Sequence, residues 1–173
     1  MQPKQMEGSR VLLFDRLIDE DPGVKKEPRS YRVYDREGLM QSVQRELARL
    51  LNTRRISNTV LDPLKATVLD YGIPDFSSLS AASPTDRQHL STLITSAIVA
   101  FEPRLQNVRV ELTESTIDHR AVDGVIAGML RIGTLLEPVA FPVLLHRESG
   151  MIEILDPPFA ENVEKSRAER LPR

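Results

Sequence analysis

"SAIVAFEPRLQNVRVEL", residues 96–112, contains the change of pattern that decides the fold. Up to Phe101 the apolar residues recur at helical spacing. Leu90, Leu93, Ile94, Ala97, Ile98 and Phe101 form an unbroken i, i+3, i+4, i+7 stripe. After Leu105 the period becomes two, with Val108, Val110 and Leu112 alternating against Asn107, Arg109 and Glu111. Glu102, Pro103 and Arg104 stand between the two patterns. A proline lacks the backbone donor and disfavours helical geometry in the residue before it, which predicts a helix ending near Phe101. The partial negative charge at a helix C-terminus favours Arg104 there and disfavours Glu102. Glu102 therefore needs a partner. The residues leave three roles open: a catalytic acid, half of a structural ion pair, or a contact with another protein.

Upstream, Ser83 reads as the N-cap of that helix, Pro84 suits its first position, and Asp86 completes a capping-box arrangement with Asp in place of Glu. Residues 68–86, "VLDYGIPDFSSLSAASPTD", read as a long loop in which Gly72 and Pro74 prevent regular structure. Tyr71, Ile73, Phe76 and Leu79 predict that this loop packs onto the domain. An earlier helix is expected over 38–54, with Leu39, Val43, Leu47 and Leu50 on one stripe. Downstream, "DGVIAGMLRI" (123–132) is apolar on both faces and predicts a central strand. In "VAFPVLLHR" (139–147) Pro142 points to an edge or a bulge, and a turn at 147–150 leads into a last strand at 151–155. The expected class is α+β: two main helices packed on one face of a small, mostly antiparallel sheet of three to four strands.

Residues 1–36 read as an N-terminal docking arm and linker, residues 37–156 as the folded domain, and 157–173 as a flexible tail. In the arm, Val11, Phe14 and Ile18 recur at helical spacing, as do Leu13 and Leu17. A polar, Pro-containing linker, "DEDPGVKKEPRS" (19–30), follows. Such a stripe either folds back onto its own domain or enters a partner's groove.

Composition narrows the chemistry. The 173 residues include 40% hydrophobic but only 5% aromatic side chains, enough for a small core. The net charge of −2, with both signs interspersed, argues against a nucleic-acid binder. Cys is absent, which excludes disulfides and thiolate chemistry. The apolar run 125–145 is broken by Arg131, Glu137 and two prolines, so a soluble, cytoplasmic chain without membrane insertion is expected. His89, His119 and His146 have no metal-ligand spacing, and phosphate-binding and nucleophile-elbow motifs are missing. One enzymatic reading has content: a lysozyme-like glycosidase with Glu102 as general acid and Asp62, Asp70, Asp75 or Glu111 as second carboxylate. Arg104 beside Glu102 and the shortage of sugar-stacking aromatics count against it.

"VLDYGIPDFSSL", then a capped amphipathic helix ending in "FEPRL", then "VRVEL", resembles the TssE family, the small baseplate subunits of the bacterial type VI secretion system. That family is similar to a tailed-phage baseplate wedge protein with a lysozyme-like label. The "RVLLFDRL" start of the arm also looks like the start of these subunits. The resemblance implies a non-enzymatic assembly protein without cofactor or metal. It implies TssF, TssG and TssK as baseplate partners, the sheath proteins TssB and TssC as neighbours, and a cytoplasmic place at the baseplate of an inner-membrane-docked machine. It also implies a partner-interface role for Glu102, Pro103 and Arg104 and for Leu12, Leu13, Phe14 and Leu17 of the arm. Asp70, Tyr71, Gly72 and Pro74 are expected to shape their loop.

Overall fold

A computed structural model describes residues 9–10, 23, 33–57, 59–80, 82–115 and 121–155. Leu12, Leu13, Phe14 and Leu17 of the expected arm, His119 and the expected tail 157–173 lie outside the described residues. The order begins with β1 (Ser9–Arg10) and β2 (Val33–Tyr34), which pair antiparallel. Helix α1 (Arg36–Asn52) and β3 (Arg54–Arg55) follow, then a 3-10 turn (Val68–Asp70), β4 (Ile73–Pro74) and helix α2 (Pro84–Phe101). Four strands close the fold: β5 (Leu105–Glu114), β6 (Ala121–Ile132), β7 (Leu135–His146) and β8 (Ile152–Ile154). They form one antiparallel sheet in the order β5-β6-β7-β8. The expected α+β class is the one observed.

Both helices begin where side chains satisfy their first free amides. Asp35 accepts from Gly38 N at 2.8 Å at the start of α1, which places the helix start two residues before the expected one. Ser83 accepts from Asp86 N at 3.3 Å at the start of α2. Asp86 does not return the bond as expected; its carboxylate accepts from Ser80 N at 2.9 Å and draws the incoming loop onto the cap. The two apolar stripes meet the inner face of the sheet. Leu39, Val43 and Leu47 of α1 and Ile94, Ala97 and Ile98 of α2 close over Ile126, Leu130 and Phe141, all almost wholly buried. Burial of each large apolar side chain contributes about 1.5–3 kcal/mol relative to exposure.

Two irregularities let the sheet fit this core. The β5–β6 register shifts between Gln106 and Arg109, and Asn107 takes φ 52. One extra residue there puts Leu105 on the same buried face as Val108 and Val110, which strict alternation from Leu105 would have turned outward. Pro142 does not make β7 an edge strand, since β7 lies between β6 and β8. The carbonyl of Pro142 accepts from Leu155 N at 2.9 Å, just past the end of β8. Its missing N–H therefore faces the side where pairing has stopped, and the β6–β7 ladder loses nothing.

Residues 68–86 are more regular than expected. β4 pairs parallel with β3, Arg54 opposite Ile73 and Arg55 opposite Pro74. Gly72 and Pro74 allow this because the contact is two residues long and needs no donor from Pro74. The loop packs as its apolar residues predict. Ile73 and Phe76 are buried, and Tyr71 and Leu79 lie partly buried against the core.

Candidate functional site

Pro103 forces Glu102 out of helical geometry (φ −121, ψ 78), and the Glu102 amide still donates to Ile98 O at 2.8 Å. Glu102 thus caps α2 while its side chain turns inward, where only 4% of it is exposed. Arg104 meets it edge to edge. Nε donates to Oε1 at 2.7 Å and Nη2 to Oε2 at 2.5 Å, and the Arg104 backbone amide also donates to Oε1 at 3.2 Å. This two-point geometry is the strong form of an arginine–carboxylate contact. The third guanidinium nitrogen, Nη1, donates to Ser42 Oγ on α1 at 3.0 Å. The backbone of the same three residues is engaged too. Leu105 N donates to Glu102 O at 3.1 Å, and Arg131 N on β6 donates to Arg104 O at 2.9 Å. Five residues therefore tie the end of α2, the middle of α1, the start of β5 and the end of β6 together. Pro103 alone of the Glu-Pro-Arg element is exposed.

Ser42, 1% exposed, was not legible as part of this site; its only signal is a serine beside the apolar stripe of α1. The Asp70–Pro74 loop abuts the lock. The Tyr71 ring meets Phe101 edge to face at 5.3 Å, and burial pushes the Tyr71 phenol above its usual range. Gly72 has φ 107, and a Cβ there would lie 2.4 Å from Thr53 O, which accepts the amide of Ile73 at 3.0 Å. Asp70 closes a capping box on Thr67, accepting from its backbone N and its Oγ1 at 2.9 Å each. Hydrogen bonding to the ionised form, first from the Thr67 backbone, holds the Asp70 carboxyl below the usual range, and Ser77 does the same for Asp75. A depressed pKa makes these contributions complete above the unfolded carboxylate value and removes them as pH falls through the folded value. The melting temperature is expected to decline on acidification, and less steeply in Asp70→Asn; equal slopes in a pH series would refute the assignment.

The other candidate groups do not converge on Glu102. Asp62 pairs with Lys65 at 3.3 Å within its own turn, Asp70 and Asp75 serve their own loops, and Glu111 is exposed on β5. His89 is exposed, and His146 Nε2 lies 3.3 Å from Glu153 Oε2. Among the described residues no group of His, Asp and Glu side chains is placed to hold a metal ion. No helix among them is long and apolar enough to cross a membrane.

The two sheet edges differ. Asn52 of α1 reads the outer edge of β8 as a strand would, donating to Ile152 O at 2.8 Å and accepting from Ile152 N at 2.9 Å. Gln44 donates to Ile154 O at 3.3 Å. β5 has no strand on its outer edge among the described residues, although Ser91 Oγ donates to Val110 O there.

Residues 37–134, more than half of the chain, match the family described as baseplate wedge protein gp25. No curated protein matches. A chain of a solved structure titled "The baseplate complex from the type VI secretion system" is similar with a TM-score of 0.45 and 22% identity. The alignment covers 62% of this chain and 94% of that one. The matched residues take in α2, the Glu-Pro-Arg lock and the strand beyond it, the elements whose resemblance pointed to baseplate subunits: this chain belongs to the baseplate wedge protein gp25 family.

Proposed function

We propose that the chain is a non-enzymatic structural subunit of a type VI secretion baseplate, joining the wedge proteins TssF, TssG and TssK and helping to start assembly of the TssB–TssC sheath. The observation that carries the reading is the wedge-family match over 37–134, the stretch that holds the lock and its flanking elements. On this reading the machine docks at the inner membrane and the subunit works at its cytoplasmic baseplate. The lock acts from inside: Glu102 and Arg104 hold the α2–β5 corner in one shape, and Pro103 is the part that touches a neighbour. The outer edge of β5, which has no strand partner among the described residues, supports a sheath role, since an extended partner segment can add to it by main-chain hydrogen bonds.

The glycosidase alternative meets a geometric obstacle. Both Glu102 carboxylate oxygens accept from the guanidinium and the side chain is 4% exposed, so a glycosidic oxygen has no approach to it. Co-purification of the intact chain with TssF, TssG, TssK and the sheath pair, beside a peptidoglycan-hydrolysis assay, separates the two readings. Complex formation without hydrolysis is expected. Hydrolysis that Glu102→Gln abolishes would overturn the assembly reading.

The arm carries its own expected result. Leu12, Leu13, Phe14 and Leu17 are proposed to dock on TssF or TssG. Pairing of β1 with β2 holds the two ends of the intervening segment together at the start of α1. Deleting residues 1–20 is expected to abolish that complex and leave the melting temperature of the domain within about 2 °C, since the core lies within 39–152. Unchanged co-purification after the deletion would remove the arm from the interface.

A further inference from the structure

Hydrogen bonds and register fix the side to which each strand of the sheet turns its main-chain groups. Pro142 O accepts from Leu155 N, so Pro142 faces β8. Successive residues of a strand face opposite neighbours, so Phe141 faces β6, where Ile126 stands opposite it. Val125 and Ala127 of β6 therefore face β5, opposite Glu111 and Arg109. Val110 and Leu112, which alternate with those two, turn their N–H and C=O groups to the outer edge. Ser91 Oγ takes Val110 O, and no strand pairs with this edge among the described residues. On the other side of the sheet Leu144 faces β8 as Pro142 does, with Glu153 opposite it, so Ile152 and Ile154 face outward.

The two edges are treated in opposite ways. Asn52 Nδ2 donates to Ile152 O at 2.8 Å and Oδ1 accepts from Ile152 N at 2.9 Å, while Gln44 Nε2 donates to Ile154 O at 3.3 Å. The asparagine amide makes the two-bond contact that a strand residue would make. Three of the four outward groups of Ile152 and Ile154 are thus held by side chains of α1. An uncovered edge is a template for any extended chain, and covering it with a helix closes it. β5 has no such cover and is the longer strand, ten residues against three. On its helix side runs a groove of about 450 Å³, lined by Val60, Leu61 and Val99 together with Val108 and Val110 of β5. A segment added to β5 turns every second side chain to that side of the sheet.

We infer that Asn52 and Gln44 make strand addition one-sided: they close the β8 edge, so that an extended partner segment pairs only with β5, through Val110 and Leu112. The inference rests on the sheath role proposed above and adds to it the edge, the register and the residues that choose between the edges. The segment it fits carries apolar side chains at alternate positions, which enter the groove beside Val99 while its backbone bonds the edge. The bulge at Asn107 interrupts the regular ladder, so pairing runs from Val110 towards Glu114.

The test is residue-resolved amide exchange of the full chain, alone and with the TssB–TssC pair, in the parent, in Asn52→Ala/Gln44→Ala and in Leu112→Pro. Adding the pair to the parent is expected to slow exchange at least tenfold at Val110 and Leu112 and to leave Ile154 unchanged. In the double variant the pair is expected to slow Ile152 and Ile154 as well, since both edges are then open. Asn52 is exposed and neither residue belongs to the core, so the double variant keeps the fold. Leu112→Pro removes an outward donor and no bond to β6, and is expected to bind the pair at least tenfold more weakly at equal folded fraction. Binding to the parent without protection at Val110 and Leu112 would overturn the inference and leave the assembly reading standing, whatever the variants do. Slowing at Ile154 in the parent would overturn it by showing the β8 edge already open. Unchanged exchange at Ile152 and Ile154 in the double variant on adding the pair would also overturn it, making Asn52 and Gln44 structural groups only. Failure of the pair to bind the parent would overturn the inference together with the sheath role.

Discussion

Glu102→Ala is expected to cost the isolated chain about 3–5 kcal/mol, because it leaves the Arg104 guanidinium buried without its carboxylate. For a domain of this size that is a fall of roughly 10 °C or more in melting temperature. The loss comes from desolvation. Arg104 is 11% exposed, and Ser42 and the remaining backbone cannot replace two charged hydrogen bonds. The double variant Glu102→Leu/Arg104→Met is expected to recover most of the loss, since removing both charges removes the unpaired one. Thermal unfolding of the isolated chain reads both results. If Glu102→Ala melts with the parent, the pair holds nothing together and its whole role belongs to assembly. The expected outcome has a consequence for function: weakened baseplate binding by Glu102 or Arg104 variants must be compared at equal folded fraction, or a lost corner will be mistaken for a lost contact.

The second large effect is expected at Gly72. A side chain there meets two obstacles at once, a φ of 107 that residues with a Cβ avoid and a Thr53 carbonyl 2.4 Å from the Cβ position. That carbonyl accepts the amide of Ile73 and ties β4 to the end of α1, so it cannot retreat without giving up Ile73 N. Gly72→Ala is expected to destabilise by about 2–4 kcal/mol. Gly133 supplies the comparison. It also has positive φ (61), but nothing lies within 4 Å of its Cβ position, so Gly133→Asn is expected to cost under about 1 kcal/mol. Denaturant unfolding of the two variants measures the difference. Equal losses would show that conformation alone, and not the approach of Thr53, makes Gly72 necessary.

Much of the candidate site was legible because its parts are close in the chain. Pro103 announces the end of α2, and the repulsion between Glu102 and a helix C-terminus demands a cation that Arg104 supplies two residues later. Those are local rules. The demand for a partner left three roles open, and that the guanidinium of Arg104 meets both carboxylate oxygens of Glu102 is read only from the fold. Ser42 lies 62 residues from Arg104 and carries no motif, so its place in the lock follows only from α1 lying across the start of β5. Arg55 is similar: nothing local sets it apart from Arg54, and only packing takes it out of water, at 5% exposed.

The sequence by itself determined the two amphipathic helices, the strand run after Pro103, the α+β class and the wedge family, because periodicity and short motifs depend on residues a few positions apart. Tertiary structure alone decided that Glu102 and Arg104 face inward, that Asn52 covers the edge of β8 while β5 has no strand on its outer edge among the described residues, and that Arg55 is buried. Each of those depends on groups far apart in the chain meeting in a low-dielectric interior, where a charge must find a partner or remain costly, and no local pattern records which groups will meet.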